Sequence, residues 1–217
     1  TAITGCGGGG GGGVPVLEGQ FLDAAVWGVA YQTFDAQGGL GESGITDSQG
    51  RFRYRAGDRV VFSIGSLNLP SATAAAVVTP LDLANTRDVE HPKVSNLLIL
   101  LQSLDEDANP ANGIKITAAA SNAIKSGQWT DLANAISTQS AQDFAVRQDL
   151  SDLVKSAYNS QARRVVSDLE AKQHFLQTVT SQTKVSATVP ERFSGPVPQG
   201  DSNFRYKQAS EVRFKGS

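Results

Sequence analysis

Methionine is absent from the 217 residues, cysteine occurs once and histidine twice. The single cysteine excludes an intramolecular disulfide, and with two distant histidines it excludes a Cys/His zinc site. No apolar run approaches the roughly 18–20 residues of a spanning helix, which excludes a helical membrane channel. Charge is scarce and nearly balanced, with 19 Lys and Arg against 21 Asp and Glu. The basic face of a nucleic-acid binder is therefore missing. What is there suffices for a real core: 40% of the chain is hydrophobic, enough for one large domain or two small ones. Without a Met, Thr1 reads as a processed or truncated end.

Ile3-Thr4-Gly5-Cys6 resembles a bacterial lipobox, an apolar residue and two small ones before a cysteine that becomes lipidated. The resemblance implies export and an outer-membrane anchor on Cys6. Lipobox processing would have removed Thr1–Gly5, so a free or intermolecularly bonded Cys6 stands as the other reading. Seven glycines follow, Gly7–Gly13. Such a run is a flexible tether, because ordering it costs about 1–2 kcal/mol per residue. An arm held against a neighbouring copy is the alternative.

From Val14 to about Leu83 the pattern is β, with short apolar or alternating runs broken by turn residues. Val26–Tyr31 reads as one strand and Gly38–Gly41 as a turn or loop. Arg51-Phe52-Arg53-Tyr54-Arg55 alternates, with Phe52 inward and the arginines wet. Ala56-Gly57-Asp58 turns the chain into Val60–Ile64, a buried strand. Ser66–Leu69 and Ala75–Val78 add short strands, and no helix is expected in this half.

Gly44–Phe52 contains Thr46-Asp47-Ser48-Gln49-Gly50-Arg51-Phe52. There Asp47 suits an Asx turn, Gly50 supplies positive φ, and Phe52 returns to the core. The segment resembles the hairpin of transthyretin-like or carboxypeptidase-regulatory-like β-sandwiches. Val78–Leu83 with Leu104–Ile114 resembles exported bacterial proteins that join such a sandwich to a helical region. That likeness covers roughly residues 20–180 and brings no catalytic residues. The implied fold class is α+β: an N-terminal antiparallel sandwich, a helical region and an extended C-terminal tail.

From Pro92 the period is helical. Pro92 fits a first turn, and Val94, Leu97, Leu98, Leu101 and Leu104 follow at helical spacing. Trp129, Leu132, Ala133 and Ile136 mark a second helix. Ser140 with Asp143 opens a long third, about 57 Å from Gln142 to Val179 if unbroken, with a kink expected near Asn159-Ser160. After Thr180 the chain turns rich in Ser, Thr, Pro and Gly, then alternates again at Phe204, Tyr206, Val212 and Phe214 among Arg and Lys. The organisation expected is an arm (1–13), a sandwich (14–88), a helical region (89–180) and a tail with one or two strands (181–217).

Asp105, Asp107 and Asn109 place oxygens at i, i+2 and i+4, with Asn112 nearby. This is how a calcium loop begins, but an EF-hand needs Gly sixth and Glu twelfth, where Pro110 and Ile116 stand. A looser calcium site and a helix-ending loop with its own caps are both open. No Gly-x-Ser-x-Gly elbow occurs, His91 and His174 read as surface or capping residues, and the glycine run lacks a P-loop lysine. Trp27 and Trp129 suit core positions better than sugar platforms. These readings converge on a non-enzymatic cell-surface or extracellular protein that self-associates, of the fibre-subunit kind. Its copies would exchange the arm or the strand of Phe204, Tyr206, Val212 and Phe214. A monomeric surface lipoprotein binding carbohydrate or an envelope protein is the alternative.

Overall fold

Apolar residues at alternate positions build two small sheets whose inner faces meet through aromatic rings. The computed structural model describes residues 14–124 and 129–186. One sheet holds β1 (Val16–Phe21), β5 (Arg51–Arg55) and β9 (Val77–Val78), with β1 central. The other is built on β3 (Ala30–Phe34), flanked by β4 (Leu40–Ile45) and β6 (Arg59–Ile64). Strands β7 (Leu67–Asn68) and β8 (Ala72–Thr73) both pair with β6. Phe21 of β1 stacks on Phe62 of β6 at 4.2 Å, and Phe52 of β5 meets Phe62 edge-on at 5.2 Å. The edge-on contact is an arrangement that aromatic quadrupoles favour. Gly19, inward on β1, lies under Phe52: a Cβ there would sit 2.7 Å from the ring and 2.3 Å from the Ala75 carbonyl.

The fold is mixed α+β, and several local expectations need correction. The strands are not all antiparallel, since β1 pairs parallel with β9. Val26–Tyr31 is two strands, because Gly28 at φ +78° turns the chain between β2 (Val26–Trp27) and β3. Gly38–Gly41 is only partly turn. Leu40 begins β4, whose Gly41 and Gly44 hid it by weakening the strand pattern. The strand half also holds a helix, α1 (Pro80–Ala84), capped at Thr79 and Asp82 and closed by Asn85 in the left-handed region at φ 54°.

Helix α2 (Pro92–Ser103) starts at Pro92 as expected, with His91 Nδ1 accepting from the Lys93 amide at 3.2 Å. It is buried on every side from Val94 to Ser103, which explains its nearly continuous apolar sequence. Around it pack α1, α4 (Thr130–Thr138), α5 (Ala141–Ala145) and α7 (Asp168–Ser186). Helix α3 (Ala118–Ala123) packs instead on α6 (Gln148–Ala157). The single long helix expected over 142–179 is therefore three helices. The kink near Asn159 is a ten-residue break, 158–167, entered with Asn159 at φ +48°. Polar anchors hold that break: Ser103 Oγ accepts the Val166 amide at 2.9 Å, and Tyr158 donates to the Leu104 carbonyl. Helix α7 runs on to Ser186, past the boundary expected at 180. Strands and helices up to Ser186 belong to one compact unit with a shared core. Among the described residues no helix is long and apolar enough to cross a membrane.

Asn96, fully buried in α2, aims Nδ2 at the carbonyls of Ala135, Ile136 and Gln139, 3.0–3.3 Å away, where α4 ends. The Ala135 carbonyl also accepts the Gln139 amide at 3.0 Å, so Asn96 supplements the end of α4, where the last carbonyls run out of helical donors. Asn96→Leu is expected to lower stability by about 1–3 kcal/mol. Urea denaturation would show this as a lower midpoint at unchanged slope.

Candidate functional site

The segment after α2 brings the four residues of the expected calcium loop together. Asp105 Oδ2 accepts the Asn109 amide at 2.8 Å and Oδ1 the Lys115 amide at 2.9 Å. Asp107 Oδ1 accepts the same Asn109 amide at 2.9 Å, and Oδ2 accepts Asn112 Nδ2 at 2.8 Å. A 3₁₀ turn at Pro110–Asn112 then leads into β10 (Ile114–Lys115), which pairs parallel with β2. Each carboxylate oxygen thus already serves a donor of the loop. Among the described residues no group of three or more His, Cys, Asp or Glu is placed to hold a metal ion.

The loop works as a clasp between strands and helices. Arg163, from the break between α6 and α7, donates to the carbonyls of Asp105 and Glu106 and lies over the Tyr158 ring at 4.2 Å. Lys115 pairs with Glu106 at 2.6 Å and sits 4.9 Å from the centre of the Trp27 ring. One face of Trp27 is therefore occupied by a cation, not open for stacking on a sugar. Trp129 stands at the start of α4, partly buried against the core.

A second acidic group lies deeper. Asp23, in the turn between β1 and β2, is fully buried, and Gln102 Nε2 donates to both its oxygens at 3.1–3.2 Å. Gln102 also reaches the Ala171 carbonyl of α7 at 3.0 Å. Burial holds the Asp23 carboxyl well above the ordinary carboxylate range, partly offset by Gln102. His174 of α7, half-buried beside the Asp23 carbonyl, is held below its usual value by that burial.

The other feature of note is an open strand edge. Strand β4 ends its sheet and pairs only with β3 among the described residues. Its Leu40 is 78% exposed and its Ile45 69%. At the same corner Arg55 of β5 bridges to Glu42 of β4 at 2.7 Å. Val16 of β1 lies opposite Arg55, and Val14, Val16 and Leu17 are exposed as well. Among the described residues, six of the nine large exposed apolar side chains, counting Val77 on β9, thus belong to the strand half, which locates the described surface least suited to water. Cys6 and the alternating Phe204, Tyr206, Val212 and Phe214 lie outside the described residues. The β4 edge was hidden by its glycines. The clasp was announced by the Asp and Asn spacing, although that spacing serves the backbone.

Comparison of the chain with known protein families, with curated proteins and with solved structures finds no match in any of the three.

Burial raises Asp105 from 3.8 to about 6, with help from the adjacent Asp107 and opposition from the Lys115 and Asn109 amides. A carboxyl raised in the native state binds its proton more tightly there than in the unfolded chain. Its contribution therefore lowers stability as pH rises from about 4 to about 6. Asp23, raised in the same direction, adds a loss of the same sign. Urea midpoints at pH 4, 5, 6 and 7 should fall less steeply in Asp105→Asn than in the parent, whereas Asp23→Asn should leave the part between pH 4 and 6 that belongs to Asp105.

Proposed function

We propose that the chain is an exported, non-enzymatic structural protein whose copies associate by strand addition, as the subunits of a fibre do. The observation that carries this is the β4 edge. Unpaired on one side and carrying exposed Leu40 and Ile45, it has the main-chain donors and acceptors that β-augmentation uses. Edge strands are ordinarily shielded by lysine, proline or a covering element, and β4 (Leu-Gly-Glu-Ser-Gly-Ile) has no lysine or proline. The alternating segment from Phe204 to Phe214 is the natural donor by sequence, because its aromatic and aliphatic side chains fall on one side of an extended chain. We read the two facing sheets as a transthyretin-like sandwich. The Asp47 turn supports this, with Oδ1 accepting the Gln49 and Arg51 amides at 2.9 Å, and so does Phe52 beneath it in the aromatic core. The lipobox-like Ile3–Cys6 supports export and a cell-surface or extracellular address.

Sedimentation of the full chain over a concentration series should show association. Leu40→Lys with Ile45→Lys, which charges the edge, and Val212→Pro, which removes a ladder donor, should each shift the distribution to monomer with an unchanged far-UV spectrum. A chain that stays monomeric at millimolar concentration overturns the reading. Association unaltered by either change overturns the assignment to β4.

A further inference from the structure

An opening on the described surface lies away from both the clasp and the β4 edge. It is a cleft of about 940 Å³, floored by the chain from Ser71 to Val77 and walled by the C-terminal end of α1. Its polar lining is Arg59, Ser71, Thr73, Asn85, Thr86 and Arg87, with one carboxylate, Asp82. Arg59 has no carboxylate within ion-pair distance among the described residues, and its guanidinium donates to Ser71 Oγ. Arg87 uses one nitrogen on Asp82 Oδ1 at 3.2 Å, and its side chain is 85% exposed. Each guanidinium carries five N–H donors, so most remain available to a ligand. The only carboxylate on the lining, Asp82, already has partners on both oxygens. Its Oδ2 accepts the Thr79 amide and hydroxyl at 2.7–2.8 Å, and its Oδ1 holds Arg87.

The left-handed turn at Asn85 sets the wall. The Asn85 amide donates to the Asp82 carbonyl and the Thr86 amide to the Leu81 carbonyl, which closes α1 and places Asn85, Thr86 and Arg87 along the cleft. The lining is cationic and rich in hydroxyl and amide groups, and it contains no aromatic ring. Guanidinium groups match the planar fork of a carboxylate, while serine, threonine and asparagine match sugar hydroxyls. A lone phosphate is a poor match. The backbone amides at the start of α1 that would cradle it are already capped by Thr79 and Asp82, and the cleft is far larger than one anion.

We propose that this cleft binds an acidic saccharide, with Arg59 and Arg87 holding its carboxylates and the hydroxyl and amide side chains meeting its hydroxyls. The site is separate from the strand edge and stands whether or not copies associate. Trigalacturonate titrated into the full chain, followed by calorimetry, should bind saturably at micromolar to millimolar concentration and weaken as salt is raised. Arg59→Gln and Arg87→Gln should each weaken it by about tenfold or more. Arg53→Gln, on an exposed strand position that does not line the cleft, should leave it unchanged. Urea midpoints of all three variants should match the parent, because these side chains are exposed. Maltotriose, which lacks the carboxylates, should not bind. Absence of saturable trigalacturonate binding overturns the proposal, as does equal binding by the Arg59 and Arg87 variants. Equal affinity for maltotriose removes the role of the arginines, and inorganic phosphate competing at equal concentration reduces the cleft to a simple anion site.

Discussion

A helix buried on all sides has nowhere to send its polar groups except into its neighbours, and α2 governs this fold for that reason. Ten successive residues from Val94 to Ser103 are removed from water. Their leucines and isoleucine supply apolar contact in every direction, which is non-directional and would tolerate many packings. Direction comes from the few polar side chains. Asn96 marks where α4 ends, Gln102 fixes both the β1–β2 turn and α7, and Ser103 holds the break before α7. Each is expensive to leave unsatisfied, so each selects one arrangement of its neighbour. The same argument explains why strands and helices share a core.

Two loops then couple the strand half to that helix, and both do so through carboxyl groups with little or no cationic compensation. Asp105 gathers amides from its own loop and from β10, while Asp23 has only a neutral amide. Neither carboxyl has a salt-bridge partner among the described residues, and burial moves both toward the protonated form. A protonated carboxyl is shaped like the amide that faces it and costs far less to bury than an ion. The protein thus gains directional bonds at two junctions at the expense of stability that diminishes once the protons leave. Arg163 could have neutralised Asp105 but binds its carbonyl instead, and the cation at that site serves to close the loop.

Legibility in the sequence followed the range of the interactions. The Asp47–Gly50–Phe52 turn was readable because an Asx turn, a positive φ and one inward aromatic lie within six residues. The start of α2 was readable because Pro92 and the leucine spacing lie in one segment. By contrast, β4 pairs through backbone contacts with β3 and carries two glycines, so nothing in its side chains announces a strand. Gly28 reads as an ordinary strand glycine until its partner is known: a Cβ there would lie 2.0 Å from the Ile116 carbonyl, more than eighty residues away. The break at 158–167 was mistaken for a kink because its apolar residues keep helical spacing while tertiary anchors from α2 dictate otherwise. The candidate site shows the same division. The acidic spacing was visible, but which donor each oxygen would accept depended on where β10 docks.

The exposed edge and the cationic cleft look like separate devices, yet one constraint produces both. Since α1 packs on α2 and on the short strands β8 and β9, those strands cannot lengthen, and the chain between them remains open coil beside the end of α1. That is the cleft. At the opposite edge of the sheet that holds β8, β4 packs on β3 and β5, and no helix of the described residues makes extensive contact with it, because most are drawn to α2. An antiparallel sheet with one uncovered margin must either blunt that margin or use it, and two glycines with two exposed aliphatic side chains do little to blunt it. Covering β4 from within the described fold would require pulling a helix away from α2, with loss of the buried polar bonds that define the core. Under the proposed association, an occupant from outside that fold covers β4 without disturbing those bonds.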